Sequence, residues 1–246
     1  MGVLYSPKIV TDGLVLALDA ANPKSYPGSG TTWSDLSGNG NGGTLVNGPT
    51  FDSENNGSIQ FDGVNDYSII QNYNEDSNLA LSVFAWVKLI NQNFTSRGRY
   101  LNWIVNKRDN GNDRQWQIFT RRDPNGDNRT YVSLTLFNGS SIICSINEGS
   151  VYEVELNKWY YVGFTTLGTS GSTAKTYQNG LLNNTNTLSS NRGTGSRPLA
   201  IATPAWALGN TFNWDGNISS IKIYNRALTA DEVLQNYNAT KSRYGL

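Results

Sequence analysis

The chain contains no histidine and one cysteine, Cys144, in 246 residues. Without histidine there is no Ser-His-Asp triad, no histidine-ligated zinc and no imidazole acid–base chemistry. A lone cysteine can neither close a disulfide within the chain nor build a structural zinc site. Its setting, SIICSI, predicts a buried strand in which the thiol acts as a small apolar group. Charge is also scarce. Asp, Glu, Lys and Arg make up 15% of the residues, 19 acidic against 19 basic, with no basic block. That balance supplies no electrostatic drive toward nucleic acid or an anionic membrane. No apolar run approaches the roughly 18 residues of a spanning helix, so membrane insertion is not expected. The opening MGVLYSPKIV lacks a cationic segment followed by an apolar run, so no signal peptide is predicted. MGVLYS meets the loose myristoylation pattern only formally. G-x-S-x-G and P-loop motifs are missing as well.

Hydrophobic residues, at 37%, are few for a chain of this length, and Asn, Ser, Thr and Gly fill the gap. Asn and Gly tolerate positive φ, so this composition suits many short strands joined by tight turns. The N-x-S/T sequons at Asn93, Asn138 and Asn217 follow from the same composition. Residues 1–12 read as an extended arm. In GLVLALDA (13–20), Leu14, Leu16 and Leu18 fall on one face of a strand. A long loop follows over 22–43, with Trp33 and Leu36 as its expected pins. Strand signals then recur to residue 225, separated by turn clusters such as RDNGND, RDPNGDN, FNGSS and QNG. Such spacing predicts an antiparallel sandwich or barrel. LALSVFAWVKLI (79–90) sets Leu81, Val83, Ala85, Val87 and Leu89 on one face and Phe84 and Trp86 on the other. That strand is expected to be central and covered on both sides.

The end of the chain changes period. Thr229-Ala-Asp-Glu232 forms a capping box, with Leu228 and Val233 at staple positions. Asp231 and Glu232 complement the positive helix end. A helix of about two turns is predicted. Alone it would not persist in water, so it must dock, and a sheet edge or open end is its expected seat.

Five blocks, FDGVNDY (61–67), SVFAWVK (82–88), NKWYYVGFT (157–165), KTYQNGLL (175–182) and DGNISSIKIYNRALTADEV (215–233), occur in an order that resembles the laminin-G-like jelly roll. That family belongs to the concanavalin A-like lectin and glucanase superfamily. The likeness covers residues 44–237. It implies an all-β, two-sheet antiparallel jelly-roll sandwich with one short C-terminal helix. The domain is expected over 13–237, flanked by the arm at 1–12 and a tail at 238–246. The opening GLVLALDAANPKSYPGSGTTWSDLSGNGNGGTLVNGPTF is similar to the start of such domains in structural proteins of tailed bacteriophages. That implies a virion-surface protein made in the host cytoplasm, as capsid decoration or a tail or fibre component. Its partners would be other virion proteins and its own copies, with cell-surface glycans as a further contact; MGVLYSPKIV and NATKSRYGL, which mix apolar or aromatic residues with a cation, are expected either to anchor onto neighbouring subunits or to fray. A free-standing carbohydrate-binding lectin is the alternative.

Retaining glucanases of the superfamily carry an E-x-D-x-x-E strand, which this chain lacks. VYEVELN sets Glu153 and Glu155 on one face without the central Asp, and reads as a solvated face. No enzyme is predicted. Calcium is common in the family and stays open here. Asp66, in DGVNDY, matches a position that contributes to metal or ligand loops in relatives. Where relatives often have an acidic residue, this chain has Ser219 and Ser220. Asp123, Asn125 and Asp127 in RDPNGDN loosely resemble the start of an EF-hand loop but read as a hairpin turn. Sugar binding needs exposed aromatic faces beside polar groups. Trp86, Trp116 and Trp159 read as core. Trp214 with its neighbour Asp215, and Trp206, are the ligand-binding candidates, with Tyr26 and Trp103 behind them.

Overall fold

The computed structural model describes residues 7–73, 79–92, 100–108, 113–122, 129–146, 153–195, 197–209 and 212–246. Asn93, Asp123, Asn125, Asp127 and the first six residues of the expected arm lie outside them. The strands are β1 (Leu14–Asp19), β2 (Thr32–Trp33), β3 (Gly43–Val46), β4 (Thr50–Asp52), β5 (Ser58–Asp62), β6 (Tyr67–Ile70), β7 (Leu81–Asn91), β8 (Tyr100–Lys107), β9 (Arg114–Arg122), β10 (Thr130–Gly139), β11 (Ser141–Ile146), β12 (Trp159–Thr166), β13 (Thr173–Gln178), β14 (Leu181–Thr187), β15 (Leu199–Ile201) and β16 (Asp215–Tyr224). One helix, α1 (Ala230–Asn238), follows. The strands pair antiparallel into two sheets. The first runs β14-β13-β12-β7-β16-β5-β4, with β1 also on β16. The second runs β11-β10-β9-β8-β15-β6-β3-β2. This is the jelly-roll sandwich that the sequence predicts.

Between the sheets lies one apolar layer that includes Leu16, Leu18, Ile59, Phe61, Ile104, Val105, Trp116, Ile118, Val132, Leu134, Leu136 and Cys144. Burial pushes the Cys144 thiol up to about 11, so it behaves as a hydrophobe. β7 sits in the middle of its sheet. Leu81, Val83, Ala85, Val87 and Leu89 face this layer, and Phe84 and Trp86 face the other way, as the alternation predicts. In β1 the period breaks. A register shift between Leu14 and Leu16 turns Leu14 away from Leu16 and Leu18 and onto the outer cluster.

That outer cluster explains the helix. Phe84, Trp86, Trp159, Tyr161, Tyr177 and Tyr224 stand on the outside of the first sheet and are buried there. So much aromatic surface is unfavourable in water, and Leu228 and Val233 cover it from the helix side. The helix therefore lies on the outer face of the first sheet, over this layer and against the edge strand β14, the kind of seat the sequence predicts. Gly163 makes the aromatic layer possible, because a Cβ there would run into the Val83 carbonyl and the Phe84 ring. Phe84 then stacks on Tyr161 at 5.2 Å. The capping box forms as written: the Glu232 amide donates to Thr229 Oγ1 at 3.2 Å and the Thr229 amide donates to Glu232 Oε2 at 2.8 Å. Arg226 adds two bonds to the same carboxylate, at 2.8 and 2.6 Å. Together they hold Glu232 down at about 2.

The terminal segments, expected either to reach neighbouring subunits or to fray, dock on this chain where they are described. Residues 241–244 form a 3₁₀ turn that inserts Tyr244 against Trp86, ring centroids 4.0 Å apart, and against Trp159 at 4.8 Å. The Trp86 indole donates to Thr240 Oγ1 at 2.8 Å. Arg243 pairs with Asp19 through contacts of 2.9 and 2.8 Å. Lys222 is buried beside that pair, and desolvation lowers its pKa against the pull of Asp19. At the other end, Val10 donates its amide to Asn236 Oδ1 at 2.8 Å and its carbonyl accepts from the Tyr224 hydroxyl at 3.0 Å.

The long loop is pinned by Trp33, which is fully buried, but not by Leu36, which is 38% exposed. The second pin is the Asp35 carboxylate. It accepts from the amides of Ala17, Ser37 and Asn41 at 2.8, 2.9 and 3.0 Å. Asparagine also guards the edge strand β14. Asn184 and Asn186 accept from the amides of Thr185 and Thr187 at 2.7 and 2.8 Å. Asn186 Nδ2 reaches the Ser145 carbonyl on β11, 2.8 Å away. Amides held in this way are not offered to a strand of another chain.

Candidate ligand-binding face

The sequence candidates separate once they are placed. Trp214 lies in the loop before β16 as expected, but it is fully buried in the layer between the sheets and offers no ring face to a ligand, a correction to its reading as a ligand-binding residue. Its amide donates to the Ala202 carbonyl at 2.7 Å, which draws the indole inward. Tyr26 is likewise buried. Its hydroxyl donates to the Gly30 carbonyl at 2.9 Å and its ring tilts against Phe51. Both rings pack the interior, so neither can lie on a sugar. Asp215 is half-buried and accepts from Asn91 Nδ2 at 3.0 Å. Burial raises its pKa, and Asp62 adds to the effect.

Asp66 belongs to a turn. Asp62 Oδ1 accepts from the amides of Val64, Asn65 and Asp66 at 2.8, 3.1 and 3.2 Å. Asp66 Oδ2 accepts from the Asp62 amide at 3.2 Å. The carboxylates thus serve the backbone between β5 and β6. Among the described residues, no group of three His, Cys, Asp or Glu side chains could hold a metal ion. Asn217 is buried, and its amide donates to Asp52 and Ser58, so that sequon is closed to a glycan.

Glu153 and Glu155 are exposed on either side of buried Val154. They border a cavity of about 300 Å³ together with Gln92, Arg122, Thr130 and Leu156. Each has its own cation, Lys158 at 2.7 Å from Glu155 and Arg129 at 3.9 Å from Glu153. Neither carboxylate is enclosed, and each faces solvent beside its cation.

Trp206 stands elsewhere, on the outside of the second sheet. Among the described residues no helix covers that face. Trp116 and Ile118 on β9 point to the core, so Gln117 and Phe119 point outward. A register shift in β8 between Trp103 and Val105 lets Trp103 join them. Trp103 stacks on Phe119 with centroids 5.0 Å apart and planes 13° apart. Trp206 meets Trp103 edge-on at 5.3 Å, and Phe212 lies 5.2 Å from Trp103. The Arg108 guanidinium sits 3.8 Å from the Trp206 ring centre. Trp206, Phe212 and Arg108 remain half-buried, so the cluster meets solvent.

The backbone that carries Trp206 is over-determined. Asn106 donates to the Thr203 carbonyl at 2.7 Å and accepts from the Ala205 amide at 2.9 Å. Thr203 Oγ1 donates to Asn213 Oδ1 at 2.7 Å and accepts from the Gly209 amide at 3.1 Å. Asn102 donates to the Asn213 carbonyl at 3.0 Å. Two non-glycine residues flank this stretch with left-handed backbones, Ala202 at φ 65° and Phe212 at φ 60°. Such conformations are costly for a side chain as bulky as Phe, and buried amides hold them in place. The result is a rigid shelf of ring, guanidinium and amide groups. Such a surface can pack on the C–H face of a sugar while bonding its oxygens. Arg108, Gln117, Phe119 and Phe212 were not among the sequence candidates. The alternation in RQWQIF carries Gln117 and Phe119, whereas nothing local marks Arg108 or Phe212.

A family model described as Laminin_G_3, of the concanavalin A-like lectin/glucanases superfamily, matches residues 61–234. No curated protein matches the sequence. Among solved structures, the fold is similar to the binding domain of botulinum neurotoxin DC in complex with SialylT. There the TM-score is 0.66 at 17% identity, over 94% of this chain and 52% of that one. It is similar to domain 4 of AbnA, a GH43 extracellular arabinanase from Geobacillus stearothermophilus, in complex with arabinotriose. In that case the TM-score is 0.62 at 19% identity, over 91% of this chain and 98% of that one. The botulinum neurotoxin type G receptor binding domain gives 0.58 at 18% identity, over 92% and 51%. The chain thus spans about half of the toxin domains it matches. At these identities the likeness shows the fold alone.

Proposed function

The chain belongs to the concanavalin A-like lectin/glucanase superfamily, and from that premise we propose that it is a non-catalytic glycan-binding adhesion module on the virion of a tailed bacteriophage. The observation that carries the binding half is Trp206, held half-exposed by buried amides over the sheet face that no helix among the described residues covers. The lectin-like neighbours, some solved as binding domains, support the same reading. The virion half rests on the opening segment, residues 13–51, and its likeness to phage structural proteins. Capsid decoration and a tail or fibre position both accommodate it.

The binding half is tested on a glycan array. Saturable binding of wild type, reduced at least tenfold in Trp206→Ala, supports it, and binding indifferent to Trp206 refutes it. The virion half is tested by mass spectrometry of purified particles. Detection of the chain in stoichiometric amount supports it. A chain found only free in the lysate favours a free-standing lectin, which the same face would serve equally well.

A further inference from the structure

Gln117 occupies an unusual place in the Trp206 face. It is 6% exposed although it points away from the core. Its Oε1 accepts from two donors at once, Arg108 Nη1 at 2.8 Å and Trp103 Nε1 at 3.3 Å. Two donors on one oxygen fix the amide, since turning it over would set its own N–H groups against both. Nε2 must then point away from Arg108 and Trp103, and no hydrogen bond within the described residues uses it. A nearly buried donor with no acceptor among the described residues is unfavourable unless something from outside accepts. Arg108, which orients the amide, also stacks on Trp206, so the donor and the ring share one frame.

We infer that Gln117 is the specificity-determining donor of this face, its Nε2 hydrogen-bonding an acceptor oxygen of a sugar whose ring packs on Trp206. The inference rests on the glycan-binding reading above. The ligand class is a pyranoside or furanoside with a hydroxyl or acetamido oxygen beside its apolar C–H face. Trp103 and Phe212 act as positioning residues, since Trp103 holds the amide and Phe212 backs the Trp103 ring.

Gln117→Glu is the decisive variant. It keeps an oxygen for Arg108 and Trp103, so the sheet is unaltered, but it replaces the outward donor with an acceptor. Calorimetric titration with three probes, N-acetylchitotriose, cellotriose and arabinotriose, is run on wild type, Gln117→Glu and Trp206→Ala. Wild type is expected to bind at least one probe. Gln117→Glu is expected to weaken that binding by about tenfold or more with no fall in melting temperature. Trp206→Ala is expected to weaken it as well. If Gln117→Glu binds like wild type while Trp206→Ala does not, the role of Gln117 is overturned and the glycan reading survives. If wild type binds none of the three probes, both are overturned.

Discussion

Replacing Tyr244 by alanine tests whether the C-terminal segment is part of the domain. The side chain is 8% exposed and lies on two indoles, at 4.0 Å from Trp86 and 4.8 Å from Trp159. An aromatic side chain buries about 150 Å² or more, worth about 3–4 kcal/mol at about 25 cal/mol per Å². Ring pairing adds about 0.5–1.5 kcal/mol. The full sum applies only if the segment stays docked. A short terminal turn can detach locally, and no substitution within it can cost more than detachment of the whole. We therefore expect a loss of about 3 kcal/mol, a fall of roughly 6–12 °C in Tm for a domain of this size. Deletion of residues 241–246, which also removes the Arg243–Asp19 pair, sets the ceiling. Thermal unfolding gives the Tm, and tryptophan emission reports the indoles of Trp86 and Trp159 as they become wet. A fall under about 2 °C with unchanged emission would refute the reasoning.

Trp214→Ala should cost about 3–5 kcal/mol, because it empties a fully buried site, whereas half-exposed Trp206→Ala should leave the Tm nearly unchanged and act on binding. Guanidinium melts of both variants check that contrast. In acid, Glu232 contributes stability that is present above its ordinary value of 4.5 and lost as the pH falls toward about 2. Asp62, held low by backbone amides, adds to that loss, while Asp66 and Asp215, both raised by burial, act in the opposite direction. Glu232→Gln should flatten the decline and cost about 1–2 kcal/mol at neutral pH, read from urea titrations at several pH values. In alkali, Tyr224, raised to about 12 by burial, contributes stability present below 10 and lost as the pH rises through 12. Tyr161 and Tyr244 shift the same way. Lys222, shifted down by burial, acts the other way and adds a rise in stability with pH. Tyrosinate absorbance should show these three phenols ionising only when the chain unfolds.

Much of the fold was legible because alternation is a local property. The two faces of β7 followed from period two, and the capping box at Thr229 and Glu232 from spacing alone. That the helix, besides meeting the edge strand β14, also covers an aromatic layer was not legible. That required knowing that Trp86, Tyr161, Tyr177 and Tyr224, far apart in the chain, share one side of one sheet. The loop pin was misread for a related reason. Leu36 looked apolar enough, but the Asp35 carboxylate satisfies three amides, and a polar pin leaves no trace in hydropathy. At the candidate site Trp206 and Trp214 were both recognised as loop aromatics, whereas the burial of Trp214 was not foreseen. Eight residues apart, one rides outside the second sheet and the other inside the sandwich. The chain turns inward between them at Phe212, whose left-handed backbone no side-chain pattern announces. Gln117 and Arg108 depend on a contact between two strands and a distant loop, which sequence spacing does not encode.

Val10 and Tyr244 come to rest on the same side of the molecule, against α1 and the aromatic layer beneath it. A tether joined at Val10 or at Tyr244 would therefore start from the rear. Anchored to a bead, a scaffold or a larger assembly, the module would hold Trp206 forward in both orientations. Strung in tandem, successive copies could each keep that ring turned to the surroundings, so weak single contacts would add up along the string.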